Sequence, residues 1–259
     1  MVDALHIAHS GLTAQQARLN AISNNLANLN TPAFKKSGVH FEALISQVSV
    51  NRNDATGDAR GGSSSSSRNG VRVGADQIDM TQGALAPSEN PADFALSGQG
   101  FLPVVDDRGS ERLVRGGRLA IDDAGFLGIG NGWRLAAQIN VPPGATNLAI
   151  RTDGVVTVVL DDGRLVELGR LDVKMTRDAA GMTLIGEGLY EARSGHEVLE
   201  GYAGEAGMAE IRQGFVEQSN VSLNEEMVEL IVAQRGFQMN ARVVQLSDQI
   251  LETINNLRR

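Results

Sequence analysis

The sequence predicts a mixed α and β protein. Long N- and C-terminal helices pair as a coiled coil and flank an inserted antiparallel all-β domain. Apolar residues recur at steps of three and four at both ends of the 259-residue chain, while the middle alternates short apolar runs with Asp/Gly turns. We expect four segments. They are an N-terminal helix over 1–32, a connecting segment over 33–70, the β domain over 71–207, and a return segment with the C-terminal helix over 208–259.

The N-terminal segment carries a leucine at every seventh position, which is typical of a coiled-coil seam. The alternating positions of the same seam hold Met1, Ala8, Gln15, Ile22 and Leu29. Pro32 ends the helix, since proline disfavours helix at the preceding residue and has no N–H to donate. The residues expected to contact the C-terminal helix are Leu5, Leu12, Leu19, Ile22 and Leu26.

The C-terminal helix is predicted over residues 222–257, with Ser222 and Glu225 in the positions of a capping box. Two apolar series run along it, and members of the second lie two residues beyond members of the first, about 200° around the helix. One antiparallel partner covers one side only, so we expect neighbouring copies to cover the other. The first series is Leu223, Met227, Leu230, Phe237, Ala241, Val244 and Leu251, and the second is Val232, Met239, Val243, Leu246, Ile250 and Leu257.

Between the helices, the pattern changes twice. Residues 33–50 suggest a short amphipathic piece, and residues 51–70 are rich in Ser and Gly, which indicates a flexible arm with little apolar surface to pack. Later, Asp and Gly clusters separate runs of β-branched residues, which predicts consecutive hairpins. The clusters lie at 106–109, 122–125, 153–154 and 161–163.

Composition and motifs give no sign of catalysis, and we predict no catalytic, cofactor-binding or metal-binding residue. A net charge of −8 argues against a nucleic-acid partner, and the apolar runs are too short to span a bilayer. His6 and His9 lie one helical turn apart but suit a solvated face, and His196-Glu197 lacks the second His of a zinc-protease helix. No apolar segment follows the initiator, so no cleaved signal is expected. That pattern fits cytoplasm, or export by a machine that does not read such signals.

The helical periodicity leaves two functional classes open. Heptads at both ends are typical of an intramolecular stalk, or of a discrete coiled-coil dimer that presents a β binding domain. Neither accounts for the second apolar side of the C-terminal helix. A head-to-tail contact through that side does not have to close, and it then produces a helical filament.

Two terminal motifs resemble the signatures of bacterial flagellar rod and hook axial proteins. SNNLANLNTPAFKK occupies residues 23–36 and GFVEQSNV residues 214–221, with further matches at 11–16, 93–101, 115–117, 226–228 and 234–240. The family has Gly where Ala33 stands. The motif residues are Asn24, Asn25, Leu26, Ala27, Asn28, Thr31, Phe34, Lys35, Glu217, Ser219, Asn220, Val221, Gln234, Arg235 and Asn240.

The resemblance implies a structural subunit of the flagellar basal body rather than an enzyme. Length and the start of the chain look most like the distal-rod type, with a proximal-rod or hook-type axial protein as the alternative. Such proteins are exported unfolded by the flagellar type III apparatus and polymerise through their terminal helices into a hollow, torque-transmitting periplasmic rod. The implied partners are further copies in a helical homopolymer, neighbouring rod and hook axial proteins, the export apparatus, and the surrounding peptidoglycan and outer-membrane ring proteins. Neither nucleic acid nor membrane insertion is implied.

Overall fold

The structure, a computed structural model, describes residues 2–44, 70–130, 132–176, 181–186, 188–192, 198–205 and 207–257. The chain divides into two compact units. The helical unit comprises Met1–Asn24, Gly38–Asp76 and Leu223–Arg259, and the β unit comprises Asn25–Ser37 and Gln77–Ser222.

Two long helices and a strand pair make up most of the helical unit. Helix α1 spans Val2–Ala27, and α2 spans Leu223–Leu257. Strands β1, Ser37–Leu44, and β2, Gly70–Ile78, pair with each other. Both predicted helices are confirmed. Of the piece predicted over 33–50, residues 37–44 form β1, and residues 45–50 lie outside the described residues, as does the predicted Ser/Gly arm except for Gly70.

The β unit holds the remaining strands, and the pairs with a defined register in it are antiparallel. The strands are β3 Leu85–Pro87, β4 Asp93–Ser97, β5 Leu102–Val105, β6 Glu111–Val114, β7 Gly116–Ile121, β8 Leu127–Ile129, β9 Trp133–Leu135, β10 Ala145–Ile150, β11 Val155–Leu160, β12 Leu165–Arg170, β13 Asp172–Thr176, β14 Met182–Gly186, β15 Leu189–Ala192, β16 Val198–Tyr202, β17 Glu210–Gln213 and β18 Phe215–Glu217. The largest sheet has nine strands in the order β14-β15-β6-β5-β9-β8-β7-β4-β17, and the smaller sheets are β10-β11-β12, β13-β16 and β18-β3.

Asp/Gly turns join several of these strands, as the sequence predicts. Between β5 and β6, Asp106 Oδ1 accepts the N–H groups of Arg108 at 2.8 Å and Ser110 at 2.7 Å, and Gly109 closes the turn at φ 81°. Asp122 repeats the arrangement between β7 and β8. The side chain replaces backbone acceptors that the turn lacks, which explains why Asp precedes Gly at these positions. The backbone N–H of Ser110 holds the pKa of the Asp106 carboxyl below its usual value.

The apolar faces of the sheets form one large core cluster inside the β unit. It includes Phe94, Leu96, Leu127, Val156 and Ile211, each almost completely buried. A second, smaller cluster surrounds Tyr190 and Phe101, whose ring centroids are 5.4 Å apart. The β unit therefore has the internal core expected of an independent domain.

The predicted segment boundaries differ from the observed units. Strands β17 and β18 lie after residue 207 and belong to the β unit, because β17 pairs with β4 and β18 pairs with β3. Residues 25–37, predicted as the helix end and the connector, belong to the β unit as well. Sequence periodicity does not reveal these long-range pairings, and the return segment was therefore placed outside the β domain.

Candidate assembly site

A continuous strip of large apolar side chains lies exposed along α2. Its exposed fractions run from 44% at Val243 to 82% at Leu257. This strip, the apolar face, is the second predicted series: Val232, Met239, Val243, Leu246, Ile250 and Leu257. Exposed apolar surface of this extent on a soluble chain is typical of an interaction site.

The first predicted series is only partly covered. Leu230, Phe237, Ala241 and Val244 are half-buried, whereas Leu223, Met227 and Leu251 are exposed. On α1, Ile22 is buried, and the four heptad leucines, Leu5, Leu12, Leu19 and Leu26, are half-buried. Within this unit, then, apolar side chains stay accessible to solvent on both flanks of α2.

The contacts between α1 and α2 follow a different line from the predicted seam. A Cβ placed on Gly11 would lie 2.8 Å from Asn240 Nδ2, and one on Gly236 would lie 3.1 Å from the Gln15 amide carbon. Arg18 Nη2 and Glu229 Oε2 are 3.3 Å apart on the same line. Positions 229, 236 and 240 each precede a member of the predicted seam by one residue, about 100° around the helix. Glycines allow a closer approach here than a leucine seam does.

The terminal motifs meet in the β unit around a buried group of charges. Glu217 and Lys35 have fully buried side chains, and Lys35 Nζ lies 2.6 Å from Glu217 Oε1. The other carboxylate oxygen, Oε2, accepts from Arg115 Nε at 3.1 Å, and Gly83 N donates to Oε1 at 2.9 Å. We call Lys35, Arg115 and Glu217 the charge cluster.

Backbone carbonyls satisfy the remaining donors of the charge cluster. Lys35 Nζ also donates to Thr81 O at 2.6 Å, and the two terminal nitrogens of Arg115 donate to Gly100 O and Gly98 O at 3.0 and 2.9 Å. Burial lowers the pKa of Lys35 below its ordinary value, while the hydrogen bond that Lys35 donates to Glu217 opposes that shift. The cluster is paired through its hydrogen bonds, as buried charges require.

Two asparagines tie the chain to both sides of this cluster. Asn25 exchanges two hydrogen bonds with the backbone of Ser37, both at 2.9 Å. Asn220 Oδ1 accepts from Lys36 N at 2.7 Å, and its Nδ2 donates to the carbonyls of Asp79 and Thr81. The residues that follow α1 and those that precede α2 are therefore held together inside the β unit.

Neither a metal centre nor a membrane-spanning helix is present among the described residues. No group of three or more His, Cys, Asp or Glu side chains there could hold a metal ion. His6 and His9 are exposed, and residues 196 and 197 lie outside the described ranges. In the same part of the chain, no helix is both long and apolar enough to cross a bilayer.

Three family profiles match the chain in the order in which its segments occur. The N-terminal profile, "Flagella basal body rod protein", matches residues 5–35. The central one, "Flagellar hook protein FlgE/F/G D1 domain", matches residues 95–158, and "Flagellar basal body rod FlgEFG protein C-terminal" matches residues 212–257.

Full-length relatives show the same family. The chain is 36% identical over 266 residues to flagellar basal-body rod protein FlgG of Borreliella burgdorferi, covering 100% of both chains. It is 32% identical over 267 residues to FlgG of Bacillus subtilis, again covering 100% of both. The chain belongs to the flagellar basal-body rod protein family. As a FlgG-like, distal-rod member, it is a structural subunit of the flagellar rod.

The fifteen motif residues of this rod-family chain fall into three groups by exposure. Asn25, Phe34, Lys35, Glu217 and Val221 are buried, and they belong to the part of the β unit around the charge cluster. Leu26, Asn28, Ser219, Asn220 and Asn240 are half-buried, whereas Asn24, Ala27, Thr31, Gln234 and Arg235 are exposed. The motif residues therefore include a buried group around the charge cluster of the β unit and a second group at exposed positions, mostly on the helices.

Sequence reasoning missed three residues that shape these sites. Arg115 stands inside a quoted motif but was not singled out, although an Arg followed by two glycines is compatible with a buried guanidinium near backbone carbonyls. Gly11 and Gly236 both lie in the quoted motifs, at 11–16 and 234–240, and no role is predicted for either of them. A glycine inside a strongly helical pattern was the available signal for close helix contact.

Proposed function

We propose that this rod subunit polymerises through its terminal helices into a hollow tube that transmits torque. The observation that carries the proposal is the uncovered apolar face of α2 in a chain of the rod family. Complete burial of a Leu-sized side chain stabilises by about 1.5–3 kcal/mol, so covering these half-exposed residues is worth ~1 kcal/mol each. Six such residues in every copy, repeated along a polymer, suit a stiff shaft.

In this proposal the two helices of one chain pair as a coiled coil and neighbouring copies cover the apolar face. The antiparallel contacts at Gly11/Asn240 and Gln15/Gly236 support the pairing. Most of the apolar face lies to one side of the residues that touch α1, and only Val243 lines a pocket together with Gly11 and Asn240. A contact made between unlike surfaces is heterologous, and heterologous contacts extend into filaments unless the rotation closes a ring.

The role we infer is mechanical rather than catalytic, and the partners are proteins. Names of the relatives support contacts with other copies and with neighbouring rod and hook axial proteins. We extend this to export through the flagellar type III apparatus without a cleaved signal, and to rotation inside the peptidoglycan and outer-membrane rings. The net charge of −8 agrees with the absence of a nucleic-acid partner.

A charge placed on the apolar face tests the proposal. We expect Val243→Asp and Leu246→Asp to abolish polymer formation, because each buries a carboxylate in a copy-to-copy contact. Sedimentation and cryo-EM of concentrated full-length protein measure the polymer, and the fluorescence of Trp133, the single tryptophan, reports whether the β unit stays folded. Gln245→Asp adds the same charge at an exposed position outside the face and serves as the control.

Polymer at parental yield from either apolar-face variant would contradict the proposal. The competing class, a coiled-coil dimer that presents a β binding domain, predicts a small fixed stoichiometry at every concentration. The parent chain should instead form large, polydisperse or tubular species as its concentration rises.

A further inference from the structure

The contact between α1 and α2 contains a reciprocal arrangement of glycines and amides. Gly11 and Gln15 are four residues apart on α1, and Gly236 and Asn240 are four residues apart on α2. The Asn240 amide lies against Gly11, and the Gln15 amide lies against Gly236. Because residues four apart lie on one face of a helix, each helix presents one notch and one projecting amide to the other.

Only one alignment of the helices satisfies both notches. A slip of four residues in one direction brings Gln15 opposite Asn240, so that two amides collide. The opposite slip brings Gly11 opposite Gly236, leaves a gap there, and places Gln15 against Val232. Ridge-and-groove packing between helices penalises both arrangements.

We propose that this reciprocal pair of notches selects the partner helix and sets the register in which α1 and α2 pair. The Oε1 atom of Gln15 is buried and accepts no hydrogen bond from the described residues. Buried polar residues in helix seams specify register at a cost in stability, and an unsatisfied acceptor is such a cost. The half-buried ion pair of Arg18 and Glu229 joins the same two helices across about one turn and contributes little energy.

The pairing of α1 with α2 decides which side chains of α2 remain accessible for assembly. Because glycines and amides bring the helices together along this line, the apolar face of α2 stays at least 44% exposed and remains available to other copies. A leucine seam at the same place would bury those side chains within the chain. The inference therefore rests on the helix pairing of the proposed function and adds the residues that specify it.

Thiol cross-linking in the full-length chain tests the register. The chain has no cysteine, so introduced pairs react without background. In this register position 18 faces position 233, and the long side chains of Arg18 and Glu229 meet across about one turn. We expect a bismaleimide to join Arg18→Cys and Glu229→Cys within one chain. The combination of Arg18→Cys with Glu225→Cys, one turn further from position 233, should react more slowly. Gels without reductant separate intrachain from interchain products.

Filling a notch should then break the register. In the 18/229 background, Gly11→Leu or Gly236→Leu is expected to slow intrachain cross-linking about tenfold, because an overpacked contact forces the helices apart. Thr13→Leu and Gln238→Leu add the same side chain at exposed positions and should leave the rate unchanged. Adding Asn240→Ala to Gly11→Leu makes room opposite the new side chain and should restore most of the rate.

Equal cross-linking at positions 225 and 229, or a parental rate in both notch-filled variants, would overturn the inference. Loss of polymer alone does not bear on it, because cross-linking is measured within single chains. Conversely, a polymer-deficient apolar-face variant that still cross-links at 18/229 separates the two proposals.

Discussion

The β unit and the helical unit treat their apolar side chains in different ways. In the β unit, residues such as Phe94, Leu96 and Val156 are at most 1% exposed and belong to one large cluster. In the helical unit, the buried apolar residues are small or few, namely Ala8, Ala14, Ile22 and Ala233 among the described ones, while Met239 and Leu257 are more than 60% exposed. The first unit therefore carries its own core, and the second keeps its largest apolar side chains for other contacts.

This difference explains how one chain can be a stable subunit and still depend on assembly. Isolated helices gain most of their stability from tertiary packing rather than from propensity. Among the described residues of the helical unit, the buried apolar side chains are three alanines and Ile22, which gives the unit little buried apolar area of its own. We therefore expect the β unit to fold alone and the helices to reach full stability only in contact with further copies.

The largest expected effect separates the two units by mutation. Phe94→Ala removes a buried ring and should lower the free energy of unfolding of the β unit by about 3–5 kcal/mol. Met239→Ala removes a comparably large but exposed side chain, and should change the free energy of unfolding of the helical unit by less than about 0.5 kcal/mol. Denaturant titration of the monomer, followed by Trp133 fluorescence and by helical circular dichroism, measures both.

Equal losses from the two substitutions would break the comparison. That result would mean that Met239 is covered within the single chain, and the apolar face would no longer be available to a neighbour.

The next effect in size tests the charge cluster. Glu217→Gln leaves Lys35 and Arg115 buried without a counter-charge, and should destabilise the β unit by about 3 kcal/mol. Glu210→Gln is the matched control, because Glu210 is exposed and its nearest cation, Arg212 Nη2, is 4.0 Å away. The same titration with Trp133 fluorescence provides the measurement. A loss equal to that of the control would show that the charge cluster does not stabilise the junction.

Local patterns in the sequence were sufficient for the helices and the turns. Seven-residue spacing predicted α1 and α2, and Asp/Gly clusters predicted the turns at 106–109 and 122–125, because both signals act between residues close in the chain. The pairing of β17 with β4 joins Ile211 to Leu96, and no local pattern records such a separation. The predicted β domain, 71–207, therefore leaves out β17 and β18.

The two candidate sites differ in the same way. Periodicity alone defines a helix face, so the second predicted series forms one exposed strip on α2, and its role as an assembly interface stays a prediction. The contacts with α1 at Gly236 and Asn240 lie one residue before the predicted seam positions Phe237 and Ala241. A heptad pattern marks apolar residues, so it does not reveal a contact made by a glycine and an amide. The meeting of Lys35, Arg115 and Glu217 depends on three distant segments, and motif recognition indicated the residues without their contact.

The smallest expected effect concerns the backbone at the junction. Ala33 has φ 57°, in the left-handed region that favours Gly, and its N–H donates to Glu217 O at 2.8 Å. In Ala33→Gly, relief of strain worth about 1–2 kcal/mol opposes a more flexible unfolded chain and a lost methyl group, so stability should change by less than about 1 kcal/mol. Ala95→Gly, in strand β4 with no unusual φ, has no strain to relieve and should lose about 1–2 kcal/mol. Denaturant midpoints of the two variants, read by Trp133, give the difference directly. Equal losses would show that the left-handed conformation of Ala33 stores no strain. The charge cluster alone would then hold this part of the β unit, which would explain why a side chain is tolerated at position 33.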